Sequence, residues 1–275
     1  MFQGLGSTSA TDAIPPPATL SLILNNIVDN SSTSSSPISQ TDATKFATAA
    51  VEMWHRAVHS FLISASLTKA SPIWSSVSGY YSSHYSIRAF AHLFGHFLLY
   101  KNNKCRIELE LDGNHYLCHI KPKGNKGEHR YYWKIVHEHP DLIDDSFFTI
   151  NNEYISESDS AHRNKANYYD HLNGFQPFQV LDETYLKHRI AVISNIEIDE
   201  APIPNCDASP YPDLENVQIV AYHRLVKFRN FIDSILGGTN RFWSVHRNPS
   251  WCPNYMHFQL VKSENSNETL RGKRG

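Results

Sequence analysis

The chain has 275 residues, of which 41% are hydrophobic and 19% charged, so it has enough apolar side chains for one sizeable core. Its 25 Lys and Arg residues nearly balance its 27 Asp and Glu residues. A net charge near −2 excludes binding to nucleic acid or to an anionic membrane through an overall basic field. Any such binding must depend on a local group of residues.

Both ends of the chain have the composition of disordered tails. Residues 1–40 contain IPPP at 14–17 and NSSTSSSP at 30–37, and residues 263–275 are also polar. We therefore predict disordered tails at 1–40 and 263–275, with a single folded domain over 41–262 between them. The apolar run LSLILNNIV from Leu20 is shorter than the ~20 residues that a membrane span needs, so we expect no membrane contact.

The spacing of the cysteines and histidines matches no standard metal site. The cysteines are Cys105, Cys118, Cys206 and Cys252. They form no C-x-x-C pair and follow no signal segment, so we expect a cytoplasmic protein. The segment 246–257 lacks zinc-site spacing. Glu52, His55 and His59 resemble half of a di-iron motif, but the next helix has no carboxylate to complete it. We predict no metal and no cofactor.

Two long helices open the folded part. In TDATKFATAAVEMWHRAVHSFLISASL, residues 41–67, apolar side chains recur at three- and four-residue spacing, which predicts an amphipathic helix capped by Thr41 or Asp42. Pro72 suits a first helical position, so we predict a second helix over about 72–100. A short turn between two long helices makes them antiparallel.

The second helix has two unlike sides. Its core side is formed by Tyr80, Ile87, Phe90, Phe94, Phe97 and Leu98. The opposite side carries a stripe formed by His84, Arg88, His92 and His96. Two interpretations of this stripe are open: a solvated face, or a site in which imidazoles one turn apart move protons.

The segment CRIELELDGNHYLCHIK predicts a β-hairpin. Two runs of alternating residues flank Asp112-Gly113, a dipeptide typical of two-residue hairpin turns. With that turn, Ile107 lies opposite Cys118 on one side of the hairpin, and Arg106 lies opposite His119 on the other.

Three later segments have sequence patterns that each predict one strand or helix. RYYWKIV from Arg130 predicts a third strand, and SDSAHRNKANYYDHL from Ser158 predicts a short helix. VQIVAYHRLVKFRNFIDSIL from Val217 predicts a long helix ended by Gly237-Gly238. No internal repeat is found.

The antiparallel helix pair, with its second helix opening WSSVSGYYSSHYSIRAFAHLFG, resembles the HEPN family of helical domains. The resemblance covers about residues 46–99 and depends on small and aromatic residues. It implies an α+β fold: a mainly helical HEPN-like bundle, often dimeric, with an inserted antiparallel β-hairpin around 105–150. It also implies a role in prokaryotic antiviral defence or as a toxin, where many members are metal-independent ribonucleases.

In catalytic members of this family, an Arg followed by a polar residue precedes a His with four to six residues between them, and the pair acts across a dimer. The imidazole moves the proton of the 2′-hydroxyl and the guanidinium holds the phosphate charge. Arg130 with His137, and Arg241 with His246, satisfy the spacing, but chance alone produces about two such pairs in this composition. Neither Arg has a polar residue after it.

The pair that we favour is Arg163 and His171, with Asn164 as the polar follower. Seven residues separate the pair, one more than the motif allows, and on a helix the two would lie about 12 Å apart. The alternative site is the part of the stripe formed by Arg88, His92 and His96.

Two functions are consistent with these patterns. The first is a metal-independent RNA endonuclease, acting as a homodimer or with a partner protein. The second is a non-catalytic binding or regulatory subunit, favoured by the departure from the motif, the near-neutral charge and the 14 Tyr, 14 Phe and 5 Trp residues. A nuclease should place Arg and His in one cleft, whereas a binding subunit should expose an apolar patch.

Overall fold

The computed structural model describes residues 25–27, 29, 35–38, 40–99, 105–112, 115–122, 128–139, 149–150, 153–154, 188, 190–193 and 214–236. Its main helices are α1 (Gln40–Leu67), α2 (Pro72–Leu93), α3 (Glu128–His137) and α4 (Leu214–Leu236). Its strands are β1 (Ser35–Ile38), β2 (His96–Leu99), β3 (Cys105–Asp112), β4 (His115–Pro122), β5 (Thr149–Ile150) and β6 (Glu153–Tyr154). The fold is α+β and mainly helical with a small antiparallel sheet, which confirms the predicted fold class.

Helices α1 and α4 form where their apolar periodicity predicts them. In α1 the buried residues Ala50, Trp54, Ala57, Phe61 and Ala65 follow three- and four-residue spacing. Helix α4 ends at Leu236, directly before the two predicted stop glycines. Among the described residues, no helix is long and apolar enough to cross a membrane.

Helix α2 is shorter than predicted because Gly95 ends it. The prediction extended the helix to about residue 100, but it stops at Leu93 and strand β2 begins at His96. Gly95 has a φ of 84°, a left-handed conformation that favours glycine, and its N–H donates to the His92 carbonyl at 3.0 Å. A glycine directly after an apolar run was the signal for this helix end.

Four strands form one antiparallel sheet in the order β1-β4-β3-β2. Strands β3 and β4 form the predicted hairpin, but Asp112 pairs with His115, so the turn lies one residue later than predicted. Arg106 consequently lies opposite Lys121, and the predicted pairing with His119 is wrong. Because the shift moves each partner by two positions, every side chain stays on its predicted face.

Strand β1 lies inside the segment predicted to be a tail. Ser35–Ile38 pairs with β4, with Ser35 opposite His119, so the structure differs from the tail prediction at these four residues. A serine-rich segment carries no strand signal in its composition. Pro37 is exposed, and a proline is tolerated on an edge strand because its missing N–H faces no partner.

Helix α3 forms where the sequence predicted a third strand, and that prediction is wrong. The buried side chains are Tyr131, Tyr132, Trp133, Ile135 and Val136, and the exposed ones are Arg130, Lys134 and Glu138. Exposure at every fourth residue is helical periodicity. Lys134 and Glu138, 3.0 Å apart, add an ion pair along the helix. Aromatic and β-branched residues favour a strand only where a sheet receives them.

The chain divides into two compact units, whereas the sequence predicted one domain. The first comprises residues 1–54, 87–139 and 228–251, and the second comprises residues 55–86, 140–227 and 252–275. Each contains part of α1, α2 and α4, and the first contains the four-stranded sheet and α3. In the first unit Phe90 contacts Phe228 and Phe231, with ring centroids 5.1 and 5.7 Å away. In the second, Phe61 contacts Tyr222 at 5.6 Å.

Two predictions fall on other parts of the chain. The helix predicted over 158–172 and the tail predicted over 263–275 lie outside the described residues. The short β5 and β6 strands pair with each other, with Thr149 opposite Tyr154.

Candidate functional site

Arg88 and His92, two members of the predicted stripe, form a hydrogen-bonded pair in which His92 is buried and Arg88 is half-buried. Arg88 Nε donates to His92 Nε2 at 3.4 Å. The Arg88 guanidinium lies over the ring of Tyr132, 5.2 Å from its centroid. His92 is 3% exposed and contacts Phe97, with 4.5 Å between the ring centroids. His92 is therefore packed inside the first unit, with Arg88 half-buried beside it.

The environment of His92 keeps its ring neutral. Burial, and then the nearby Arg88 charge, hold the pKa of His92 well below its usual range, while the backbone of Ala49 opposes the shift. Because Nε2 accepts from Arg88, the proton of the neutral ring lies on Nδ1. A ring enclosed in this way is suited to support its neighbours, not to exchange protons with a bound molecule.

The other histidines of the stripe are separated by the fold. His84 is 4% exposed and stacks on Tyr80 at 6.2 Å, within the second unit. His96 is on strand β2, in the first unit, because α2 ends before it. The stripe is therefore neither a solvated face nor one continuous site, and His96 belongs to the sheet.

One face of the four-stranded sheet collects charged and imidazole side chains. The register places His96, Arg106, Glu108, His119 and Lys121 on the same face, which we name the polar face. Glu108 on β3 lies directly opposite His96 on β2 and opposite His119 on β4. In the next row Arg106 lies opposite Lys121. A carboxylate thus lies between two imidazoles, with two cations beside them.

The polar face is partly covered, since the Arg106 guanidinium lies over the Tyr131 ring, 5.8 Å from its centroid, and its charges are fixed by neighbours. Lys121 is exposed, and the other four side chains are half-buried. The Glu108 carboxylate forms an ion pair with Lys121 Nζ. His119 Nε2 donates to Glu110 Oε2 at 2.9 Å, since a carboxylate can only accept. Exposed pairs of this kind stabilise the fold little, but they restrict where each charge points.

The surroundings of His96 keep its ring uncharged. Burial lowers the pKa of His96 to about 4, with Glu108 opposing the shift and His139 adding to it. The His139 ring lies 6.2 Å from the His96 ring, and burial also lowers the pKa of His139. Nδ1 of His96 is buried without a hydrogen-bond partner among the described residues. At neutral pH this imidazole is uncharged.

These groups match acid–base chemistry on a phosphodiester. A neutral imidazole can take a proton, a second imidazole can return one, and adjacent cations can hold the charge that builds on phosphate. Within the described part of the chain, no group of three or more His, Cys, Asp or Glu side chains is arranged to hold a metal ion.

The favoured sequence-predicted pair is not placed by the structure. Arg163, Asn164 and His171 lie outside the described residues. Arg130 and His137 lie two turns apart on α3, not on a strand.

The sequence named His96 only as part of the alternative site with Arg88 and His92, and it named neither Glu108 nor Lys121 as a candidate. Alternation in β3 and β4 was the signal that could have found Glu108 and Lys121, because it places every second residue on one face. Comparisons of the chain with protein-family models, with curated proteins and with solved structures found no match.

Proposed function

We propose that the protein is a metal-independent RNA endonuclease whose site is the polar face. The observation that carries the proposal is the row of His96, Glu108 and His119 across three neighbouring strands, with Arg106 and Lys121 in the next row. Adjacent strands are about 4.8 Å apart, so His96 and His119 start roughly 10 Å apart and can flank one phosphodiester.

The two imidazoles have different tasks. His96 Nε2 takes the proton of the ribose 2′-hydroxyl as the 2′-oxygen forms a bond to phosphorus. The bond from phosphorus to the 5′-oxygen breaks, and a proton from His119 goes to that leaving oxygen. The products are a 2′,3′-cyclic phosphate and a 5′-hydroxyl, so no metal or added reactant is needed.

The cations supply the charge stabilisation. Arg106 and Lys121 lie opposite each other beside the imidazole row, where they can hold the phosphate oxygens as negative charge builds. Glu108 limits the freedom of Lys121 through their ion pair. A local pair of cations explains how a chain with a net charge near −2 could bind RNA at one place.

The HEPN-like resemblance supports the same class of activity. We extend the proposal to a cytoplasmic role in prokaryotic antiviral defence or as a toxin, with the protein acting as a homodimer or with a partner protein. The competing site for the same reaction is Arg163 and His171, with Asn164.

The test is cleavage of end-labelled single-stranded RNA in excess chelator by the wild-type protein and by His96→Gln. Loss of a general base costs about 10²–10⁴-fold in rate, so the variant should be nearly inactive. His59→Gln is the matched control, because His59 is an exposed histidine on α1, in the second unit. It should cut as the wild type does.

The His171→Ala variant separates the two sites. Cleavage that is lost in His171→Ala but retained in His96→Gln would overturn the polar face and assign the reaction to the Arg163 pair. Cleavage that stops in chelator would contradict the metal-independent mechanism.

One observation favours the second candidate, a non-catalytic binding subunit. Trp74, near the start of α2, is 59% exposed, and it is the one large hydrophobic side chain this exposed in the described part of the chain. Exposed tryptophan is typical of protein contact surfaces. Folded wild-type protein that cuts no RNA would favour this candidate.

A further inference from the structure

Strand β2, which carries His96, is fixed at both ends. At its start, Leu109 N–H donates to the carbonyl of Gly95 at 2.9 Å. Near its other end, Leu98 N–H donates to the hydroxyl of Tyr132 at 3.2 Å. Leu98 lies opposite Arg106 in the sheet, and a strand at a sheet edge has N–H groups that no strand partner satisfies. The tyrosine hydroxyl therefore replaces a missing strand at this edge.

The Tyr132 ring is itself held by the Arg88 and His92 pair. Tyr132 is completely buried, with the Arg88 guanidinium 5.2 Å from its ring centroid and the His92 ring 5.7 Å away in an edge-to-face arrangement. Because the guanidinium also donates to His92, the three side chains form one connected group beneath β2. This gives the two stripe residues a structural task.

Helix α3 links this group to His139, whose ring lies beside that of His96. Tyr132 lies in α3, and His139 lies two residues after the last residue of α3, His137. The His139 ring contacts the Phe94 ring, with 4.5 Å between the centroids. The hydroxyl that fixes β2 and the imidazole that faces His96 therefore belong to one segment.

We propose that Tyr132 is a positioning residue: its hydroxyl holds the outer edge of β2, and so the direction of His96, on the polar face. The inference rests on the proposed function, because it assigns His96 to the reaction. It identifies Arg88 and His92 as supports of Tyr132, so these residues act on the site without touching substrate.

The test is the variant Tyr132→Phe, which lacks only the hydroxyl group of the side chain. In Tyr132→Phe the ring and its contacts with Arg88 and His92 are kept, but Leu98 N–H loses its acceptor. Histidine-selective NMR titration of the wild-type protein should give a pKa of about 4 for His96. The variant should show a rise of about one unit, because a loosened edge admits water to the ring.

Tyr131→Phe is the matched control on the same helix. The Tyr131 hydroxyl is buried and has no hydrogen-bond partner among the described residues, so its removal leaves no group unpaired. The His96 titration should match the wild type. Equal His96 titrations in Tyr132→Phe and the wild type would overturn the inference.

Activity assays keep the two proposals distinguishable. If the wild type cuts RNA, Tyr132→Phe should lower kcat about tenfold, move the acid limb of its pH profile upward and leave KM nearly unchanged. An inactive wild type would contradict the proposed function, while the NMR titration would still decide the role of Tyr132. Arg88→Gln, which weakens the support of the ring, should change the His96 titration in the same direction.

Discussion

Gly79 is in α2 at a position where any side chain would meet a neighbouring helix. A Cβ atom built there would lie 2.8 Å from Val217 Cγ1 and 3.1 Å from Ser64 Oγ. A β-branched valine in a helix has essentially one rotamer, so its methyl group has little freedom to move aside. The close approach of α1, α2 and α4 in the second unit therefore depends on the missing side chain.

We expect Gly79→Ala to destabilise the protein by about 1–3 kcal/mol, although alanine has the higher helix propensity. Urea denaturation measures the change. Val217→Ala removes the clashing methyl groups, so adding it to Gly79→Ala should recover part of the loss. A Gly79→Ala protein that is more stable than the wild type would show that the helices are not in contact at this point.

Two histidines of the predicted stripe show what could and could not be predicted from the sequence. Gly95 moved His96 from the predicted helix to a strand, although a glycine after an apolar run is a recognisable stop signal. The burial of His92 had no such signal. A histidine in a helix can face either solvent or the core. His92 packs against Tyr132, which is distant in sequence and was predicted to be in a strand.

At the scale of elements, a buried polar network joins the three helices of the second unit. Gln218 Nε2 on α4 lies 3.1 Å from Ser64 O on α1 and 3.0 Å from Ser75 Oγ on α2. Ser64 Oγ also donates to the Ser75 carbonyl at 2.7 Å. All three residues are completely buried. Such a network fixes the helix register, because any sliding would leave buried polar groups unpaired.

We expect Gln218→Met to lower the free energy of unfolding by about 1–3 kcal/mol, since it deprives the serines of a shared donor inside the core. The combined variant Ser64→Ala, Ser75→Ala, Gln218→Met removes all three polar side chains together. If the network acts as a unit, this variant should be closer to the wild type in stability than the three separate losses would predict. Additive losses in chemical denaturation would argue against a connected network.

Elements with one dominant period were predicted well, and those with mixed signals were not. Helices α1 and α4 and the β3–β4 hairpin follow a single pattern over many residues. Helix α3 combines helical periodicity with a strand-like composition, and composition was given too much weight. The β3 and β4 members of the polar face follow from alternation alone, whereas His96 joins them only because Gly95 ends α2 before it.

At the scale of the molecule, buried histidines make stability depend on pH. Burial lowers the pKa of His55 and His96 to about 4, holds that of His92 well below its usual range and lowers that of His139, whereas the ordinary value is 6.5. Below pH 6.5 the unfolded chain therefore binds more protons than the folded chain.

We expect the free energy of unfolding to decrease as pH falls from about 6.5 toward 4, by up to about 1.4 kcal/mol per pH unit for each such histidine. Urea denaturation at pH 7, 6 and 5 measures the slope. His55→Gln should make the slope shallower, while His59→Gln, at an exposed position on the same helix, should retain it. A stability that is constant over this range would contradict the burial of neutral imidazoles.

The polar face and the buried serine and glutamine network lie in different units. The polar face belongs wholly to the first unit, and the buried serine and glutamine network belongs wholly to the second. Each group therefore has variants that test it by itself.

The most direct test of the account is the chemical nature of the ends produced from single-stranded RNA in excess chelator. Attack by the 2′-oxygen predicts 2′,3′-cyclic phosphate and 5′-hydroxyl ends from the wild type, no cutting of an oligonucleotide made with 2′-deoxyribose, and almost none by His96→Gln. Equal cutting of the deoxy substrate, or cyclic phosphate formed at the wild-type rate by His96→Gln, would contradict catalysis at the polar face.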